Sequence, residues 1–193
     1  MNSLPINVVK RNGDQQLLDL EKFHRVVSWA CEGITGVSAS EVELRSHVQF
    51  YNDIKSSDIQ ETLIKAAADL ISEETPNYQY VAGRLINYHL RKAIYDGPTP
   101  TRLYDHVKDV VSKGFYTNEL LDWYTEEEFD EMDKFVVHER DNNLTYAAME
   151  QFRGKYLVQN RSTKEIFETP QMAYILISAT LFASYEKDRM TWV

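Results

Sequence analysis

Few residues of this 193-residue chain carry chemical potential, and they are scattered. There is one thiol, Cys31, and there are five imidazoles: His24, His47, His89, His106 and His138. Catalysis needs a nucleophile, a base and oxyanion donors brought together, or a metal cage. The histidines stand singly, with no His-Glu-x-x-His pattern, so each reads first as an ordinary surface or half-buried imidazole. A lone cysteine excludes an internal disulfide framework, a Cys-based zinc ribbon and any mechanism drawing two thiols from this chain. At an apolar-compatible helical position, Cys31 reads as a small core residue rather than a nucleophile. The run Glu126-Glu127-Glu128 with Asp130, Glu131 and Asp133 lacks the glycine-turned spacing of a calcium loop and reads as a solvated helix face. Neither a catalytic residue nor a metal site is expected.

Phosphate binding is the chemistry with more support. The chain has no Walker loop and no G-x-G-x-x-G, so no glycine loop cradles a phosphate. What remains are lysines and helix N-termini, whose unpaired N–H groups attract anions. Lys10 precedes an Asn-Gly turn, Lys22 lies in the first turns of a helix, Lys92 ends another, and Ser56 and Ser57 open a third. Spacing alone also fits solvated lysines and ordinary caps, and leaves both readings open.

The elements that must position these groups are mainly helical. Val8-Val9 and Leu17-Leu18 flank Arg11-Asn12-Gly13-Asp14, the signal of a hairpin with a tight type I′ turn. Four helices follow. Asp19 caps the first, which carries Phe23, Val26, Val27 and Ala30 inward. Ser40 with Glu43, and Ser57 with Gln60, are spaced as capping boxes for the second and third. Thr75-Pro76 reads as a cap with proline at the first helical position of the fourth, which ends on Arg91-Lys92. Residues 96–100 (DGPTP) are the strongest breaker and set a domain boundary at 97/98. Beyond it, Leu103, Val107, Val110 and Val111 form one helical stripe, and Thr125 with Glu128 caps an acidic helix over 126–137. A helix through 144–153 precedes a hairpin of 156–159 with 165–168. Thr169-Pro170 opens a final apolar helix. The apolar surface of that helix and of Trp192-Val193 marks an interface.

The 21 basic and 30 acidic residues give a net charge of −9, which argues against a general nucleic-acid binder. No apolar run is long enough to span a membrane and the start lacks a signal-peptide core, so a cytoplasmic protein is expected.

Residues 8–22 (VVKRNGDQQLLDLEK) with FHRVVSWACEG, then SSDIQETLIKAAADLIS (56–72) and TPNYQYVAGRLINYHLRKAIY (75–95), resemble the ATP-cone, a regulatory nucleotide-binding module. LYDHV (103–107), GFYTNELLDWYTEEE (114–128), HERDNNLTYAAME (138–150) and KYLVQN with EIFETPQMAYILISATLF (155–160, 165–182) resemble the segment preceding the catalytic barrel in class I ribonucleoside-diphosphate reductase large subunits. Order and spacing over almost the whole chain carry the resemblance, not any single motif.

The resemblance implies a mainly α fold. It gives an ATP-cone at 1–97, a four-helix bundle under a small three-stranded sheet, and a helical segment with one β-hairpin at 98–193, ending before the barrel. It implies ATP as activator and, in many members, dATP as inhibitor, with Mg2+ accompanying the nucleotide. Matched residue by residue, the nucleotide contacts fall on Lys10, the stretch Gln16, Leu17, Leu18, Asp19, Leu20, Glu21 and Lys22, and on Ser56 and Lys92. Asp58, Gln60 and His89 are secondary candidates. Ser56 replaces a Thr of several members, and Gln60 stands where some carry a His that helps separate dATP from ATP. The implied partners are a chain bearing the barrel and the radical-generating small (beta) subunit, with neither nucleic acid nor membrane. The chain would be part of an enzyme without its catalytic residues. The competing expectation is a stand-alone nucleotide sensor or helical interaction protein. The repressor family that shares the cone also has a four-cysteine zinc ribbon, which one cysteine excludes.

Overall fold

A computed structural model describes residues 6–47, 49–95, 100–185 and 187–193. Residues 96–99 of the expected breaker therefore lie outside the described residues. The chain parts into two compact units, Met1–His89 with Asn142–Glu150, and Leu90–Asp141 with Gln151–Val193.

In the first unit, β1 (Asn7–Val9) pairs antiparallel with β2 (Gln15–Leu17) and parallel with β3 (Ile54–Lys55), giving the order β2-β1-β3. The hairpin turn differs from the expected type I′. Only Gly13 of the Asn-Gly pair takes a positive φ, 89°. The Lys10 N–H bonds the Asp14 carbonyl at 2.8 Å, and the Gly13 N–H bonds the Lys10 carbonyl at 3.0 Å. Asn12 spends its side chain on Asp14 instead, accepting from its N–H at 3.1 Å and donating to its carboxylate at 2.7 Å.

Four helices follow, α1 (Leu20–Cys31), α2 (Ala39–His47), α3 (Ser56–Ala68) and α4 (Tyr78–Tyr95), the last belonging to this unit as far as His89. Asp19 caps α1 as expected, its carboxylate accepting the Lys22 N–H at 2.9 Å. The Ser40 and Ser57 capping boxes do not form. Each helix starts one residue before its serine, so both hydroxyls sit inside the first turn. The N-cap of α3 is Lys55, an extended strand residue that supplies no side-chain cap. Helix α4 begins at Tyr78 rather than beside Pro76, and the Thr75 hydroxyl is used on the Leu70 carbonyl at 2.7 Å. Val27, Val42, Leu63, Ala67, Val81 and Leu85 are among the buried apolar side chains of these helices.

Residues of the segment 142–150 pack against α4. Gly83 has no Cβ, and one there would run into the Leu144 carbonyl oxygen. Beside it Asn87 donates to the Asn142 side chain at 2.7 Å. Arg84 donates to the Asn142 carbonyl at 3.2 Å and to the Glu32 carbonyl just past α1 at 2.6 Å. The expected helix over 144–153 is shorter, α5 (Tyr146–Gln151), and passes into a wider turn at Phe152–Tyr156.

The second unit contains α6 (Leu103–Ser112), α7 (Glu119–Trp123), α8 (Glu126–Asp133), α9 (Pro170–Phe182) and α10 (Arg189–Trp192). Leu103, Val107, Phe129, Met132, Met172 and Leu176 lie in one apolar cluster. The Thr125–Glu128 capping box forms, and Pro170 sits at the start of α9. The hairpin expected over 156–168 is reduced to a single bridge, Gln159 to Ile166, beside a turn in which Lys164 takes φ 64°. Glu128 also receives Arg189 of α10 at 2.7–3.0 Å, and that guanidinium lies 4.5 Å from the Tyr124 ring centre. No helix among the described residues is long and apolar enough to cross a membrane.

A polar layer is buried in this unit. Tyr116 donates to the Glu168 carboxylate, whose second oxygen accepts the Val158 N–H at 2.8 Å. Burial pushes the His106 and His138 imidazoles down to about 4, so both are neutral at pH 7. Burial pushes the Asp141 carboxyl up from 3.8 to about 6, against the opposing hydrogen bonds of Gln171 and the charge of Arg91. A carboxyl harder to ionise folded than unfolded destabilises the fold when ionised. That penalty is complete above about pH 6 and absent below about pH 4.

Two stability predictions follow from this packing. Gly83→Ala should destabilise by at least about 2 kcal/mol in chemical denaturation, because the obstacle is backbone and cannot rotate away. Asp141→Asn should gain stability relative to the unmodified chain on going from pH 4 to pH 8, by up to about 3 kcal/mol. Urea unfolding at the two pH values checks the sign; an unchanged difference would show that Asp141 ionises freely in the fold.

Candidate functional site

Strand and helix starts converge on one cleft in the first unit. The register pairs Val9 with Lys55, so Lys10, one residue beyond β1, comes beside Ser56 at the start of α3. The hairpin returns Gln16 on β2 and then Leu18, after which Asp19 and Lys22 present the start of α1. These six residues, with Gln60 one turn into α3, line an open cleft of about 500 Å3, solvent included. Its remaining lining is Val8, Phe23, Val26, Ile59, Leu63 and Tyr88, an apolar surface beneath a polar mouth.

The electrostatics favour an anion at the mouth. Lys10 and Lys22 face a single carboxylate, Asp19, among the lining residues. Helices of 12 and 13 residues begin there, and α3 begins without a side-chain cap. Uncapped first-turn N–H groups and the helix dipole add partial positive charge at that point. Val26, Tyr88 and Lys22 also border a second recess with Arg25 and Trp29, where the Trp29 and Tyr88 rings lie 5.9 Å apart.

The other expected residues fall elsewhere. Leu17 and Leu20 point outward, 60% and 57% exposed. Glu21 is exposed and lies 4.0 Å from Arg25. Asp58 accepts from the Ser57 hydroxyl at 3.1 Å and does not line the cleft. His89 lies 3.6 Å from the Glu61 carboxylate. Lys92 is in the last turn of α4, in the second unit. Phe23, Ile59 and Leu63 are buried, as their helical spacing predicts, and the same side chains with the half-buried Val26 form the apolar floor of the cleft.

Cys31 is not among the residues that line the cleft. Burial pushes the Cys31 thiol up to about 11, so it is not a thiolate at pH 7. Among the described residues no cluster of His, Cys, Asp and Glu could hold a metal ion.

The family described as ATP cone domain matches residues 6–93. The chain is 56% identical over 181 residues to the ribonucleoside-diphosphate reductase subunit alpha of Haemophilus influenzae, covering 94% of this chain and 24% of that protein. The ribonucleoside-diphosphate reductase 1 subunit alpha of Escherichia coli gives the same identity and coverage. That of Enterobacteria phage T4 is 40% identical over 190 residues, 97% of this chain and 25% of that protein. The chain thus spans about a quarter of the length of the curated relatives it matches, corresponding to their N-terminal region.

Proposed function

Residues 6–93 belong to the ATP-cone family, and the chain is related to the N-terminal part of class I reductase large subunits; from that premise we propose that it is the nucleotide-sensing portion of such an enzyme. The cleft formed where β1, β2, α1 and α3 begin or end is the observation that carries this reading. Lys10 and Lys22 would neutralise phosphates, and the uncapped start of α3 with the Ser56 hydroxyl would donate to phosphate oxygens. The apolar floor would take the base and sugar, with Gln16, Asp19 and Gln60 offering amide and carboxylate partners to adenine's polar edge. Lys92 would add a further cation, as the resemblance implies. Mg2+ would enter with the triphosphate rather than on a cage of protein ligands.

ATP would be the activating effector, and dATP, which many cones take as inhibitor, would compete for the same cleft, with Gln60 in place of the His that helps separate the two. By the resemblance we assign residues 1–97 to the regulatory cone and 98–193 to the helical segment leading to the barrel, a division along the chain that differs from the packing units, which part at 89/90 and add 142–150 to the first. Ribonucleotide reduction itself would be done by a polypeptide carrying the barrel and its thiols, with the radical supplied by the small subunit. A cytoplasmic location would suit that assembly. Nucleotide would control it by linkage, shifting the assembly only by its difference in affinity for two states.

A thermal melt with ATP and with dATP tests the ligand. At about 100 times its dissociation constant, a nucleotide should stabilise the chain by about 2.7 kcal/mol. Lys10→Ala and Lys92→Ala should each weaken binding about tenfold or more, the loss of one charge-assisted contact, with the ligand-free melt unchanged. Unchanged affinity in either variant removes that lysine from the site. No shift with either nucleotide would leave the helical interaction protein as the reading.

A further inference from the structure

The second unit carries a groove of a different chemical kind. Helix α9 is apolar around its circumference. Met172, Ala173, Leu176 and Ala179 are buried on one side. Tyr174, Ile177 and Leu181 are 51%, 54% and 67% exposed on the other. Between α9, α7 and the residues around Tyr156 lies a groove of about 850 Å3, solvent included, with Trp123 and Leu120 in its wall. No Lys, Arg or His lines it; its charged members are the carboxylates of Glu119 and Glu168. Glu168 is already engaged by Tyr116 and the Val158 N–H. A nucleotide or any other anion would therefore meet only like charge and no donor cation. The side chains that fit are aliphatic and aromatic, with a basic group tolerated near Glu119.

Exposed apolar side chains gathered along one helix and continued into a groove mark a surface that is covered in the working protein. In the relatives, polypeptide amounting to three quarters of the subunit accompanies the part matched by this chain. We propose that the α7–α9 groove, with Ile177 and Leu181 at its rim, seats an apolar stretch of that accompanying polypeptide. This rests on the reductase reading above, and it assigns the contact to one face of the second unit.

The test is co-expression of this chain with the Escherichia coli ribonucleoside-diphosphate reductase 1 subunit alpha from which the matching N-terminal region has been removed. The unmodified chain should co-purify with it. Leu181→Asp alone, and Ile177→Asp with Leu181→Asp, should lower recovery at least about tenfold, as expected when an apolar contact covered by a partner is replaced by an unpaired carboxylate. Both variants should keep a cooperative melt, since the altered side chains face solvent in the isolated chain. Equal recovery of variants and unmodified chain overturns the proposal, and so does failure of the unmodified chain to co-purify. Self-association of the chain alone that these variants abolish would give the face to a second copy, and also overturns it. The nucleotide melts read the cone separately. Loss of the ATP and dATP shifts with co-purification intact counts against the nucleotide reading and not against this surface.

Discussion

The parallel pairing of Asn7–Val9 with Ile54–Lys55 is the constraint on which the cleft depends. It brings together segments some 45 residues apart in sequence and fixes where α3 begins. Lys55 takes the extended backbone usual at an N-cap, but its side chain has no acceptor to offer the first-turn N–H groups. The start of α3 is left uncapped beside Lys10 for that reason. A one-residue slip of this ladder would turn Val8 and Ile54, both buried, toward the other face. It would also carry Lys10 away from Ser56. The antiparallel partner is held by local bonds at the Gly13 turn, and it delivers Gln16, Leu18 and Asp19 to the same mouth. The two strand pairings thus place two helix starts and two lysines around a common space.

Local signals were legible and long-range ones were not. Asp19, Thr125 with Glu128, and Pro170 mark helix starts through bonds or geometry reaching only three residues, and each does so in the fold. Ser40 and Ser57 show the same spacing without the function, because α2 and α3 begin one residue earlier. For α3 the reason is the strand that feeds it. For α2, Tyr78 occupies the entrance, accepting the Ser38 N–H at 2.9 Å and donating to Glu41. That contact spans forty residues and has no trace in local spacing. The Asn-Gly pair announced a turn correctly and its type incorrectly, since the Asn12 side chain found Asp14 and kept its backbone out of the left-handed region.

The same limit governs the units and the buried polar groups. Glycine and proline punctuation points to residues 96–100, yet the compact units part between His89 and Leu90, within α4. Residues 142–150 join the first unit through Gly83, Arg84 and Asn87, contacts that composition cannot announce. His106 and His138 looked like ordinary imidazoles in the sequence. Burial makes them neutral members of a polar layer, a property of what surrounds them rather than of their spacing.

Charge separates the two concave surfaces more sharply than shape does. The chain carries a net −9, so an anionic ligand meets repulsion on average. Screening confines that average field to about 8–10 Å at physiological salt, and only nearby charges decide a binding site. The cleft has two lysines and two helix starts against one carboxylate; the groove has two carboxylates and no cation. On charge alone an anionic ligand would therefore favour the cleft over the groove, without any steric exclusion. The reverse holds for an apolar segment. In the cleft it would strip water from Lys10 and Lys22 with no partner to replace it, whereas in the groove Glu168 is already satisfied by Tyr116 and Val158. Under the proposed reading each surface would reject what the other accepts, and an acidic chain would hold a triphosphate and a protein neighbour without their competing for the same residues.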